Sequence, residues 1–220
     1  GVSTTITDGD ETLQAIYGFQ IDLNTSFTGE DSLDVSIDAG NADSNADGQL
    51  GPLAELDLNG SYNNTSQDLL SVDGVSYTFP VGDKTTVIVG DNTDGSALFS
   101  TACTYGGPSN TLDDCGNVNA AITGAGTMVG ASYDFDNGFT TAVGYAGDGS
   151  STSGLMTKEG LDAYGINAAY TGDTYGVSVT YASVEATTTS DDTFTAINAY
   201  WAPEGFPSVS VGYEWGEDGS

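Results

Sequence analysis

Nearly all the side chains that could do chemistry in this sequence are carboxylates. Thirty-two Asp and Glu residues face only Lys84 and Lys158, with no arginine and no histidine, so the formal net charge is −30. Without histidine there is no Ser-His-Asp or Cys-His nucleophile system and no imidazole-based metal or haem site. With two lysines in 220 residues, nothing can neutralise a phosphate backbone, which excludes nucleic acid as a partner. Carboxylates can still act as paired acid and base, hold a hard cation, or line water and repel anions.

Three groups of residues are placed to do one of these. Asp43, Asn45 and Asp47, followed by Gly48, match the first half of a calcium loop, where alternate oxygens converge on one ion. The twelfth position falls on Ala54, with Glu55 one residue late, and no helical pattern flanks the segment. A solvated acidic turn is the reading preferred for it, with weak calcium binding as the alternative, and no other cofactor is expected. Cys103 and Cys115 lie in a polar Gly/Asn/Asp stretch. As a disulfide they would close a ring of about twelve residues and order it by about 3 kcal/mol; as two free thiols they would do nothing for a flexible loop. The third group is scattered along the chain, and its meaning depends on the elements that carry it.

Those elements are strands. Leu13, Ala15, Tyr17, Phe19, Ile21 and Leu23 alternate with mostly polar or small neighbours. The same period of two recurs at Leu33–Ala39, Phe139–Tyr145 and Tyr175–Tyr181, and helical stripes are absent. The pattern predicts an all-β chain of ten strands near 12–27, 32–40, 69–79, 85–91, 124–135, 139–146, 162–170, 175–183, 193–201 and 208–215. Residues 54–62 also alternate but are left out of this order. Short turns then alternate with long loops at 41–68, 92–123, 147–161 and 184–192. That is the connectivity of a transmembrane antiparallel up-and-down β-barrel.

Aromatic placement bears on the same question. Phe79, Phe135, Phe139, Tyr170, Tyr175 and Trp201 lie near the short turns, and Tyr145, Tyr164 and Tyr181 lie about six residues away, or about 20 Å along a strand. The opposite face is Gly, Ser, Thr, Asn, Asp and Gln, without the long charged side chains of a solvent-facing sandwich sheet. Small polar residues suit a water-filled lumen. By alternation Asp22, Asp34, Asp38, Asp134, Asp162 and Glu214 are expected to line it. No pair among them has a spacing that marks an acid and base, so an enzyme is not expected. A secreted acidic β-sheet structural protein, with or without calcium, is the rival.

Several strings resemble one family. DLNTSFTGED at Asp22–Asp31, AGN at Ala39–Asn41, YTFPVGD at Tyr77–Asp83 and WAPEGFPSVSVGY at Trp201–Tyr213 are similar to cyanobacterial outer-membrane porins of the OprB-like, carbohydrate-selective type, often called iron uptake porins, especially the marine picocyanobacterial ones. The resemblance implies a trimeric barrel of roughly sixteen strands in outer-membrane lipid. It passes small hydrophilic solutes and cations. It also implies that the loop 92–123 folds inward as a constriction, bringing Asp91, Asp94, Asp113 and Asp114 to the channel. Family members carry a signal, an S-layer-homology domain and a linker before the barrel, and close on an aromatic residue. None of these is visible between Gly1 and Ser220, so the chain is expected to be a single internal barrel segment of about ten strands.

Overall fold

A computed structural model describes residues 2–6, 13–40, 70–104, 115–122, 126–149, 154–157, 160–187 and 190–219. Among these there is no helix. The strands are β1 (Val2–Ile6), β2 (Leu13–Thr25), β3 (Ser32–Gly40), β4 (Ser71–Val81), β5 (Thr85–Asp91), β6 (Thr127–Asp134), β7 (Phe139–Gly147), β8 (Asp162–Thr171), β9 (Tyr175–Thr187), β10 (Ser190–Trp201) and β11 (Val209–Glu217). Each pairs antiparallel with its neighbours in sequence, so the sheet order is β1 through β11 without a crossover. The fold is the all-β, antiparallel, up-and-down type that the alternation predicts. Among the described residues no pairing joins β1 to β11.

Two details differ from expectation. Among the described residues the sheet has eleven strands because Val2–Ile6 pairs with Leu13–Tyr17; five residues are too short a run for periodicity to register. The expected loop at 184–192 is strand for most of its length, since β9 and β10 pair as far as Thr187 and Ser190, with a bulge at Ser190/Asp191. Its Val, Thr, Ser and acidic residues look like a polar loop in sequence, yet Val and Thr fit a pleated ladder well once a partner strand lies beside them. Residues 54–62 lie outside the described residues.

Pro80 shows how the ends are shaped. It pairs with Thr86 of β5, while the ladder between β3 and β4 stops at Thr78, so its missing N–H falls where no neighbour needs it. At the turn between β2 and β3 the carboxylate of Asp31 gathers five donor groups. It accepts the Tyr77 hydroxyl at 2.6 Å, the Ser26 and Thr28 hydroxyls at 2.7 Å each, and the Thr28 and Phe27 backbone N–H groups at 2.7 and 3.1 Å. The bond from Tyr77, then those from Ser26 and Thr28, hold its pKa well below the usual carboxylate range. A depressed folded-state pKa contributes stability that is present above the unfolded value near ~3.9 and disappears as pH falls through the lower folded value. Asp31→Asn is therefore expected to lower stability at neutral pH. The gap from the parent should close only in strong acid, and denaturant midpoints measured from pH 7 to pH 2 check this. By contrast, the Lys84–Asp136 pair at 2.7 Å raises the lysine's pKa but is exposed on both sides and adds little.

The burial pattern across the sheet is inverted relative to a soluble protein. Large apolar residues are exposed, among them Ile21, Val129, Val143, Ile166, Val179, Ile197, Val211 and Tyr213. The cross-strand registers put them all on one face, called here the apolar face. The buried strand residues lie mostly on the other face and are small or polar: Ala142, Ala146, Ala169, Ser178, Thr180, Ala182, Ala196 and Asn198.

Candidate functional site

Part of that second face is covered by two described stretches of the chain between β5 and β6, residues 92–104 and 115–122, called here the strap. Gly130, Gly144 and Gly165 stand directly opposite one another on β6, β7 and β8 and leave a trough without side chains. The strap lies in it. A Cβ on Gly144 would collide with the carbonyl oxygen of Gly95, and one on Gly165 would sit 2.6 Å from Ile122 Cδ1 and 2.9 Å from Phe99. The strap closes on itself where the Gly95 N–H donates to the Ile122 carbonyl at 2.9 Å. Ile122, Ala120, Met128, Ile88, Ala146, Ala182 and Ala196 form the small apolar cluster beneath, with Phe99 and Phe194 packed against it.

From there the strap is pinned strand by strand. Asn167 of β8 accepts the Ser100 N–H at 2.9 Å and donates to the Ser100 carbonyl at 3.2 Å. Ser178 of β9 accepts the Ala102 N–H at 2.9 Å. Ser210 of β11 accepts the Thr104 N–H at 2.8 Å. On the return pass Asn198 of β10 donates to the Cys115 carbonyl, and Cys115 lies against Gly212 of β11, where any side chain would collide. Glu214 then accepts the Asn119 N–H at 2.9 Å, the Asn119 side-chain amide at 2.7 Å and the Ala120 N–H at 2.9 Å.

Cys103 and Cys115 are joined, with Cα atoms 6.2 Å apart. Their flanks, Thr104 at Ser210 and Cys115 at Asn198, are fixed by hydrogen bonds that do not involve sulfur. Cys103→Ser with Cys115→Ser is accordingly expected to lower the denaturation midpoint, by up to about 3 kcal/mol from the less constrained unfolded chain. It should leave amide exchange over residues 95–102 slow. Fast exchange there would show that the bridge, and not the polar anchors, holds the strap.

The acids expected to line this face divide into distinct groups. Asp22, Asp34 and Asp38 lie on it together, on the neighbouring strands β2 and β3. Asp134 shares the face at its turn end and accepts the Asp136 N–H at 2.7 Å. Glu214 shares it too, but its oxygens are occupied by the strap. Asp162 does not belong there. It pairs with Gly147 and shares the apolar-face register with Tyr145 and Tyr164, where the Tyr145 hydroxyl donates to it at 2.5 Å. The apolar residues of β8, Tyr164 and Ile166, stand at even numbers, and Asp162 is in step with them. Asp162 and Tyr145 are both buried, and the Met156 N–H of the loop between β7 and β8 reaches the Tyr145 hydroxyl.

Asp94 is spent within the strap's own first turn, where it accepts the Ser96 N–H at 2.7 Å and the Ser96 hydroxyl at 2.6 Å. Asp91 pairs with Val75 and Thr127 in the apolar-face register. Asp113, Asp114 and the calcium candidates Asp43, Asn45 and Asp47 lie outside the described residues. Among the described residues no three His, Cys, Asp or Glu side chains converge on a metal-sized space. Sequence reading missed Asn167, although it is the bulkiest polar side chain on a β8 face otherwise made of Ala, Gly and Thr, and Asn198, which stands between Ala196 and Tyr200 on its face of β10. It also missed Asp31, which the cluster of Ser26, Thr28 and Tyr77 donors could have signalled.

Two solved porins are similar to this chain. One is a variant of the Rh. blastica porin with five substitutions, 13 % identical, at a TM-score of 0.48. The other is a variant of the same porin with three substitutions, 12 % identical, at 0.46. Each likeness covers 94 % of this chain and 66 % of the porin, so the chain spans just under two thirds of the proteins it matches. No family model and no curated protein matches.

Proposed function

We propose that this chain is a wall segment of an outer-membrane porin, through which small hydrophilic solutes diffuse with a preference for cations. The observation that carries this is the inverted burial. A continuous sheet face of Val, Ile, Leu, Tyr and Trp stays exposed while the opposite face is polar and strapped. Contiguous exposed apolar surface on that scale needs a partner phase. Lipid on one face and water on the other is what a transmembrane strand wall requires.

Ring pairs on the apolar face strengthen the comparison with a membrane interface. Tyr77 stacks on Phe79 at 5.4 Å, Phe139 meets Tyr170 at 4.8 Å, and Tyr170 meets Tyr175 at 5.3 Å, all near the short turns. Near the other ends of their strands Tyr145 meets Tyr164 at 5.3 Å. Amphipathic rings favour such positions.

In mechanism the strap narrows the water path by bulk, and carboxylates without basic counterparts concentrate cations and repel anions. Carbohydrate or iron cargo, a trimeric assembly and a marine cyanobacterial outer membrane follow the OprB-like strings and belong to the same proposal. Reconstitution tests it. The chain should require detergent or lipid to stay dispersed, should conduct in a planar bilayer, and should show a cation-directed reversal potential across a potassium chloride gradient. Monodispersity in plain buffer with no conductance would favour the secreted structural sheet, and an anion-directed potential would refute the selectivity.

A further inference from the structure

Among the described residues the strap is hydrogen-bonded along one side of its face and makes no hydrogen bond to β2 or β3, where Asp22 and Asn24 stay exposed. The hydrogen bonds that dock residues 100–104 and 115–120 end on β7, β8, β9, β10 and β11. On β2 and β3 the side chains of the same face are occupied with one another. Asp22 accepts the Gln20 amide at 2.9 Å and the Ser36 hydroxyl at 2.8 Å. Asp34 accepts the Asn24 amide and the Ser32 hydroxyl, each at 2.6 Å. Asp22 and Asn24 stay exposed, and Asp34 and Ser36 are half-buried. All four donors are neutral. They fix the carboxylates in place without cancelling their charge, which a lysine or arginine would do.

Asp38 continues the row and stands apart from it. It lies opposite Gln20 on one side and Ser71 on the other. It is only 7 % exposed, and its Oδ1 has no hydrogen-bond partner. Asp22 and Asp73 are close enough to act on its charge and are of the same sign. A carboxylate so buried, with one oxygen unpartnered, is costly in its charged form unless a positive charge or a proton comes to it.

We propose that ions pass along the β2–β3 side of the strap face and that Asp22, Asp34 and Asp38 set the preference for cations. Asp134 at the turn end and Glu214 under the strap have little part in it. The proposal rests on the channel reading and narrows it to one wall. At physiological salt the field of a fixed carboxylate reaches about 8 Å, so only ions held to this side of the strap feel the three together.

Reversal potentials of the full chain in planar bilayers test it. Asp22→Asn with Asp34→Asn should lower the potassium-to-chloride permeability ratio at least about three-fold, and Asp38→Asn should lower it further. Asp134→Asn should leave the ratio unchanged. Ser36→Cys offers a route that spares the acids. A cationic thiol reagent on it should reduce both current and cation preference. An unchanged ratio in the double variant, an equal shift in Asp134→Asn, or no effect of the reagent would overturn the assignment while leaving the channel intact. A parent chain that does not conduct would overturn both.

Discussion

Gly144→Val is expected to lift the strap from the sheet. The new side chain would occupy the space of the Gly95 carbonyl oxygen and press on Phe99, whose Cε1 lies 3.3 Å from a Cβ built there. Neither neighbour can yield cheaply. The carbonyl is backbone within a closed turn, and Phe99 is packed on the apolar cluster. The strand itself tolerates valine well, and its ladder to Gly130 and Gly165 needs no side chain at that point. The damage should therefore fall on the strap and cost about 1–3 kcal/mol or more. Amide exchange over residues 95–102 should become fast, while β6, β7 and β8 stay protected. In a bilayer the unitary conductance should rise as the obstruction leaves. A variant with parental exchange and conductance would mean that the strap does not rest in the glycine trough.

The second large effect is expected at Asn167. Its side chain is 4 % exposed and makes four contacts at once: the Ser100 N–H, the Ser100 carbonyl, the Val179 carbonyl at 3.4 Å and the Thr180 hydroxyl at 2.9 Å. Asn167→Ala leaves the Ser100 N–H without its acceptor on a half-buried segment and opens a space of several atoms. Each unsatisfied buried group costs about 1–3 kcal/mol. Asn167→Leu would fill the space and still strand the N–H. The two variants should thus be similarly destabilised, which separates a hydrogen-bonding role from a filling role. If the leucine variant recovers most of the loss in a thermal or denaturant melt, the amide serves mainly as bulk.

Much of the fold was legible because period two is a local signal. The registers of β6 to β9 follow from runs such as Phe139–Tyr145 and Tyr175–Tyr181, where each residue's face is fixed by its neighbours. By the same local rule Asp22, Asp34 and Asp38 share the face opposite Ile21 and Leu23. Asp162, at the first residue of β8, has no strand residue before it to fix its face and is in step with Tyr164. The strap's seat was far less legible. It depends on contacts between residues more than sixty apart, such as Ser100 with Asn167 and Thr104 with Ser210. An amide amid alanines gives no hint of which distant N–H it will meet. Glu214 illustrates the difference, because its face follows from local alternation, while its hydrogen bonds come from the distant Asn119 and Ala120.

The strap also fixes an order of assembly. Every strand pairs with its sequence neighbour, so the sheet can grow hairpin by hairpin from contacts of short separation, which form fast. The strap cannot follow that schedule. Thr104 needs Ser210, and Asn119 needs Glu214, 95 residues later in the chain. Its seat is incomplete until β11 is in place. During growth the polar face is therefore uncovered, and the strap can take its seat only after β11 has paired.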